Sequence, residues 1–256
     1  MQPDSANTSQ PNPVGDLTPT TDPTQIAESV SGLSTTMMLA LTSEPNTGVG
    51  VISEDGQIMY INDQAAKIFH GHNACSTDYV GRNWRDHMPE DWIEERLKLF
   101  QTVKIHDKPV LMRSVWRDFQ HFTWISLIES EPVEKSDSDE PCKPQPVLFL
   151  TITRRIASDD EAEDIMPRKK FEEVESGVIH LNKLDVLSPR ELEVLALLGQ
   201  GLNTTEVARV LHRSENTIDN HRTSIYNKLN IRDRVQLAEI ARRAGLKIND
   251  AAKSRV

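Results

Sequence analysis

The sequence predicts an N-terminal α+β unit followed by an all-α unit of four short helices, and three observations carry that division. Between residues 44 and 156 the apolar residues alternate or form runs of strand length, with two helix-length stretches among them. From residue 187 the apolar repeat lengthens to three and four residues, and cap and stop residues divide the segment into four pieces. The charge changes sign at the same place. Residues 187–256 hold 12 Lys and Arg against 8 Asp and Glu, and the preceding residues hold 17 against 31, so the net charge of −10 divides into +4 and −14.

Residues 1–25 are dominated by Pro, Thr, Ser, Asn and Asp, too polar to offset chain entropy by burial, which predicts a disordered tail. Residues 26–43 place Ile26, Val30, Leu33, Met37, Met38 and Leu41 near one stripe, predicting a lead-in helix that packs on the next domain. Residues 44–156 form that domain. Strands at 49–53 and 57–61 flank Asp55-Gly56, a hairpin turn pair. Asn62 or Asp63 caps a helix that buries Ala65, Ala66, Ile68 and Phe69 and ends at Gly71. A longer helix over 92–103 buries Ile93, Leu97 and Phe100, and strands follow at 110–116, 121–128 and 147–153. Residues 129–146, acidic and proline-rich, predict a flexible insertion at a loop tip. An acidic linker is expected over 157–183, with some helical spacing after residue 171 that Gly177 interrupts.

The all-α domain is expected over 184–248, with a flexible tail at 249–256. Ser188, Pro189 and Glu191 supply an N-cap hydroxyl, a proline where no backbone donor is needed and a capping-box carboxylate. Leu192, Leu195 and Leu198 line this first helix, and Gly199 with Gly201 ends it. Thr204 or Thr205 caps the second helix, in which Val207, Ala208 and Leu211 face inward. A short turn at His212-Arg213 and an N-cap at Ser214 open the third, whose buried stripe is Ile218, Ile225 and Leu229. Its other face carries Asn216, Thr217, Asn220, Arg222, Thr223, Asn227 and Lys228. Amides and hydroxyls donate and accept at base edges, and the cations suit phosphate.

These residues resemble the LuxR/GerE-type helix-turn-helix family, whose text appears here at 187–191 (Leu-Ser-Pro-Arg-Glu), at Gly201, at Glu206-Val207-Ala208 and at Thr217 to His221, with the match continuing through Lys228-Leu229. The resemblance implies double-stranded DNA as partner, bound as an inverted repeat by a homodimer. Asn220 and Thr223 become the expected base readers, with Asp219 a further candidate, and Thr204, Thr205, Thr217, Arg222, Asn227 and Lys228 the phosphate contacts. Val235, Ala238 and Ile240 on the last helix are the expected dimer contacts. Thr205 and Asp219 stand where many family members carry a basic residue. Asp219 accepts from a cytosine amine, orients Arg222 or His221, or weakens phosphate attraction. His221 reads as a packed residue, not a metal ligand, because no second ligand follows at four residues.

The order of two strands, helices and three strands, with Asp55-Gly56, Ile58, Tyr60, Asn62 and Ala65 at their spacings, resembles a PAS sensor domain. That resemblance implies a five-stranded antiparallel sheet with helices on one face, binding a small ligand or a signalling protein. No haem or flavin signature is found and the cofactor is unknown. Cys75 lacks the context of a flavin-binding cysteine, and His70, His72, His87, His106 and His121 show no pattern that singles out a haem ligand. Trp84, Trp92, Trp116 and Trp124 wall a cavity or fill the core.

Two distant cysteines, Cys75 and Cys142, support neither a disulfide framework nor a metal knuckle. No basic and apolar leader or membrane-length run is present, which reads as a cytoplasmic protein with no membrane partner. No phosphate loop, metal triad or nucleophile elbow supports an enzyme. The expectation is a sequence-specific transcription regulator. The alternative is a signalling adaptor acting through its N-terminal domain without reading DNA.

Overall fold

The computed structural model describes residues 17–30, 34–128, 146–156 and 172–256. The first hairpin forms as its sequence dictates: β1 (Thr47–Ser53) pairs antiparallel with β2 (Ile58–Ile61), and Gly56 takes the positive φ of 90° that its turn needs. Asn62 then does three jobs. Its side-chain oxygen accepts from the Ala65 amide at 2.9 Å and the Val49 amide at 3.0 Å, and its amide donates to the Thr47 carbonyl, so one residue caps a helix and fastens it to β1.

Two short helices, α1 (Pro23–Ser29) and α2 (Thr35–Ser43), precede the sheet, and α3 (Asp63–His70) and α4 (Glu90–His106) follow the first hairpin. The remaining strands are β3 (Val110–Trp116), β4 (Phe119–Ile128), β5 (Leu148–Arg155), β6 (Glu172–His180) and β7 (Ser254–Arg255). Their order is β2-β1-β5-β4-β3-β6-β7. Neighbours from β2 to β3 pair antiparallel, whereas β6 on β3 and β7 on β6 are parallel.

One face of the sheet packs Ile52, Met112, Ile125 and Phe149 against Ile93 and Phe100 of α4. The other face is shared. Over β1, β2 and β5 it receives α1 and α2 through Ile26, Ala27, Val30 and Met38. Over β3 and β6, Val115 and Ile179 enter the core of the C-terminal helices, formed by α5 (Pro189–Gly199), α6 (Thr204–Val210), α7 (Glu215–Leu229) and α8 (Arg234–Ala244). Sheet and helices are thereby joined through a common apolar core, whose burial disfavours separation.

Several expectations are corrected. The five-stranded antiparallel sheet becomes a mixed seven-stranded one, because β6 lies where a linker was expected at 157–183, and the expected tail at 249–256 contributes β7. Glu173, Glu175 and His180 look like linker text, but strand residues with one exposed side tolerate them. The lead-in helix over 26–43 is two helices, with Met37 52% exposed. Trp124 packs on the opposite face from Trp84, Trp92 and Trp116. The expected insertion at 129–146, apart from residue 146, falls outside the described residues, as do residues 1–16 and Leu33.

Candidate nucleic-acid interface and internal cavity

The third C-terminal helix owes its position to the first. Ser188 accepts from the Glu191 amide while Glu191 accepts from the Ser188 amide at 2.7 Å, the reciprocal cap expected from the sequence. The same carboxylate, in a side chain 5% exposed, accepts from Ser224 Oγ at 2.6 Å and from Lys228 Nζ at 2.7 Å on α7. Burial pushes the Glu191 pKa up, and the hydrogen bonds from Lys228, Ser224 and Ser188 outweigh it, bringing the pKa down to about 2. A buried carboxylate with three donors, two of them on α7, thus fixes the roll of α7 about its axis.

That roll turns one face outward. Asn216, Asn220, Thr223 and Asn227 recur at helical spacing, and all four are exposed. Among the described residues the side chains of Asn216, Asn220 and Asn227 have no partner within the protein. Thr223 donates to the Asp219 carbonyl of its own helix at 2.9 Å. Asp219 is an orienting residue here: its carboxylate accepts from Arg222 Nη1 at 3.1 Å, and the same nitrogen donates to Thr204 Oγ1 at 2.9 Å, tying α7 to the start of α6. Arg222 is therefore held, with its side chain 24% exposed.

The remaining candidates are scattered around this face. Thr205 and Lys228 are exposed, the latter paired with Glu191, and Thr217 is half-buried with its hydroxyl 2.8 Å from Ser214 Oγ. Ser214 caps α7 as expected. The cap of α6 is neither Thr204 nor Thr205 but Asn203, in a reciprocal box with Glu206. An Asn before two threonines satisfies the cap without a rotamer restricted by β-branching. On α8, Val235 is 78% exposed, Ala238 exposed and Ile240 half-buried. Sequence reasoning passed over Arg209, Arg213, Arg232 and Arg234, exposed cations that make no side-chain ion pair among the described residues. Their position at helix ends beside α7 in the sequence was the available signal.

The sheet unit contains a small cavity of about 50 Å³, bounded by Phe69, His70, Trp84, Trp92, Arg96 and Thr123 among others. Trp92 and Trp84 meet edge to face at 5.0 Å, and the Arg96 guanidinium lies 4.4 Å from the Trp92 ring. The indole N–H of Trp92, a residue 3% exposed, has no acceptor among the described residues. His70 stacks on Tyr79 at 3.9 Å, and burial together with His87 and Arg117 lowers its pKa to about 4, so it is neutral near pH 7. Among the described residues no three His, Cys, Asp or Glu side chains gather as a metal site, and no helix is long and apolar enough to cross a membrane.

Residues 185–241 match the family described as GerE, bacterial regulatory proteins of the luxR family. The transcriptional regulatory protein LnrK of Bacillus subtilis is 46% identical over 67 residues, which is 26% of this chain and 30% of that protein. The transcriptional regulatory protein DegU of Brevibacillus brevis is 36% identical over 83 residues, 32% of this chain and 33% of the relative. The chain thus spans about a third of the length of these curated relatives. A VqmA–ligand–DNA complex of Vibrio cholera aligns over 82% of this chain and 89% of that one, with 17% identity and a TM-score of 0.40, a likeness too distant to fix the fold. Residues 185–241 are therefore a luxR-family helix-turn-helix unit, and that match reaches the helical part of the chain alone.

Proposed function

We propose that the protein is a sequence-specific DNA-binding transcription regulator, in which α7 reads an inverted repeat as part of a homodimer and the sheet unit, a PAS-like sensor, receives the signal. The observation that carries this reading is the outward face of α7, where Asn216, Asn220 and Asn227 offer amides that none of the described residues uses. Exposed amides at helical spacing suit base edges, since one amide both donates and accepts. Asn220 and Thr223 are the base readers. Asp219 acts on bases only by releasing Arg222, so its role is to aim that guanidinium at phosphate. Thr204, Thr205, Thr217, Asn227 and Lys228 contact the backbone, joined by the free cations Arg209 and Arg213. Val235, Ala238 and Ile240 pair the protomers.

The signal is a compact ligand carrying a hydrogen-bond acceptor for the Trp92 indole, because a donor buried without a partner gains most from a ligand that supplies one. The protein acts in the cytoplasm. The alternative, an adaptor that no longer reads DNA, is favoured by one observation: both cations expected on the face of α7 are spent in internal ion pairs, Arg222 with Asp219 and Lys228 with Glu191.

Selection of random duplexes by the full-length protein at two salt concentrations separates the two. Enrichment of an inverted repeat that Asn220→Ala/Thr223→Ala abolishes or alters supports the regulator. Absence of enrichment at low salt, by the full chain and by residues 180–256 alike, leaves the adaptor.

A further inference from the structure

Besides the shared apolar core, a buried guanidinium bonds the helical unit to the sheet. Arg113 lies in the middle of β3 with its side chain 4% exposed. Within the sheet it donates to Gln120 Oε1 at 3.1 Å and to Glu175 Oε2 at 3.1 Å. Across the interface it donates to both oxygens of Asp250, at 3.2 and 2.8 Å, and to the carbonyl of Gly245. Gly245 closes α8, and Asp250 is fully buried in the turn that follows.

The surroundings reinforce that fork. Lys247 and Lys253 both reach Glu175, and Lys253 also pairs with Asp250, so opposite charges meet across the junction. Gly245 has φ 52°, and a Cβ there would collide with the Gln120 side chain, so the end of α8 sits closer to β4 than any other residue would permit. Beyond Asp250 the chain joins the sheet outright, Ser254 opposite Val178 and the Val256 amide bonding the Ile179 carbonyl at 3.0 Å.

Of the strands that hold this cluster, β4 lines the cavity and β3 packs in the core beside it. Met112 and Trp116 of β3 lie in the cavity-side core, and Thr123 and Ile125 of β4 line the cavity itself. Side chains alternate across a strand, so a displacement of β3 or β4 on one face moves Arg113 and Gln120 on the other.

We propose that the Arg113–Asp250 fork is the positioning contact through which the sheet sets the pose of α8, and with it the separation of paired α7 helices on DNA. This rests on the reading that α7 binds DNA, and it adds how that binding is regulated. A buried ion pair contributes less to stability than apolar residues of the same volume, and its directional hydrogen bonds hold one arrangement against others. Removing the fork while keeping the bulk therefore loosens the pose without unfolding either part. Arg113 and Asp250 are positioning residues and touch no DNA.

The test compares the full chain with Arg113→Met/Asp250→Leu, a neutral exchange that leaves Glu175 paired with its lysines. Two readouts are taken: scanning calorimetry without DNA, and affinity for duplexes whose half-sites are separated by spacers of different length. The wild-type protein is expected to melt in one transition and to prefer one spacer by about tenfold or more. The double variant is expected to melt in two transitions and to lose most of that preference while keeping its half-site sequence. A variant that melts once with the spacer preference intact overturns the proposal, as does a wild-type protein that melts in two steps. If the double variant does not fold, Arg113→Lys, which keeps the charge and loses the planar fork, is read by the same two measurements with the same expected direction. Failure of the wild type to select any duplex removes the DNA reading, and the calorimetry still decides whether the fork couples the two parts.

Discussion

The sheet unit and the helical unit differ in how many of their buried nitrogens lack a partner among the described residues. In the sheet unit the Trp92 indole nitrogen, both His87 ring nitrogens and one ring nitrogen each of His121 and His180 are buried without a partner among the described residues. In the helical unit the Nε atoms of Arg222 and Arg243 are in that state, whereas the buried Glu191 carboxylate accepts from Ser188, Ser224 and Lys228. A satisfied network holds one geometry, whereas unsatisfied donors raise the free energy of the unoccupied state and reward a ligand that supplies the missing bond. The unpaired nitrogens are the more numerous in the sheet unit.

The largest expected effect strikes the junction between them. Asp250→Ala strands Arg113 as a buried charge and is expected to cost about 3–5 kcal/mol in chemical unfolding. A loss below about 1 kcal/mol would mean that Glu175 alone satisfies Arg113 and that the two units are less firmly joined than their contacts imply. Within the reading head, Ile225→Ala, at a position with no exposure, is expected to cost about 2–5 kcal/mol.

Acid should destabilise the joined units over two pH ranges. Burial, with Arg155 nearby, lowers the His121 pKa to about 3, and that of His70 lies at about 4. Both imidazoles are neutral in the folded state. Their unfolded forms take up protons below the ordinary value of 6.5, so the sheet unit loses stability as pH falls from 6.5 toward 4 and below. Glu191 has a lowered pKa, so its contribution, on the order of 3 kcal/mol, is complete above the ordinary value of 4.5 and is lost between 4.5 and about 2. Tryptophan fluorescence reports the sheet unit alone, because all four tryptophans precede β5. In chemical unfolding followed by this signal, stability is expected to fall already between pH 6.5 and about 4.5, before Glu191 titrates, and a loss confined to pH below 4.5 would refute the histidine contribution.

Smaller effects sharpen the same contrast. Ser188→Ala removes the cap that Glu191 reciprocates and is expected to cost about 0.5–2 kcal/mol. Asn220→Ala, exposed and unpartnered, is expected to leave stability within about 0.5 kcal/mol while costing about 1–3 kcal/mol at one base position in DNA binding. A stability loss comparable with that of Ser188→Ala would show that Asn220 supports the fold.

Local chemistry was legible wherever neighbouring residues settle it. The Asp55-Gly56 turn, the Ser188–Glu191 box and the Ser214 cap each involve partners within four residues, and the structure has them all. The alternation of 110–116 and the apolar stripe of Ile218 and Ile225 were equally readable. Near misses came where two local solutions compete, as at Asn203 against Thr204 and Thr205 for the cap of α6. The candidate reading face was visible in Asn216, Asn220 and Asn227. The spending of Arg222 on Asp219 and of Lys228 on Glu191 was less so, since the latter pair lies 37 residues apart.

By itself the sequence determined the four helices of the helical unit, the caps at Ser188 and Ser214, the hairpin and the polar face of α7, because periodicity and capping act over a few residues. Only the tertiary structure decided that 172–180 is a strand, that the last residues join the sheet and that Arg113 meets Asp250 at a separation of 137 residues. An acidic stretch or a polar tail carries no local sign of such a partner. Its strand state comes from hydrogen bonds to β3 and β6, and its charges become tolerable only where folding brings opposite charges beside them.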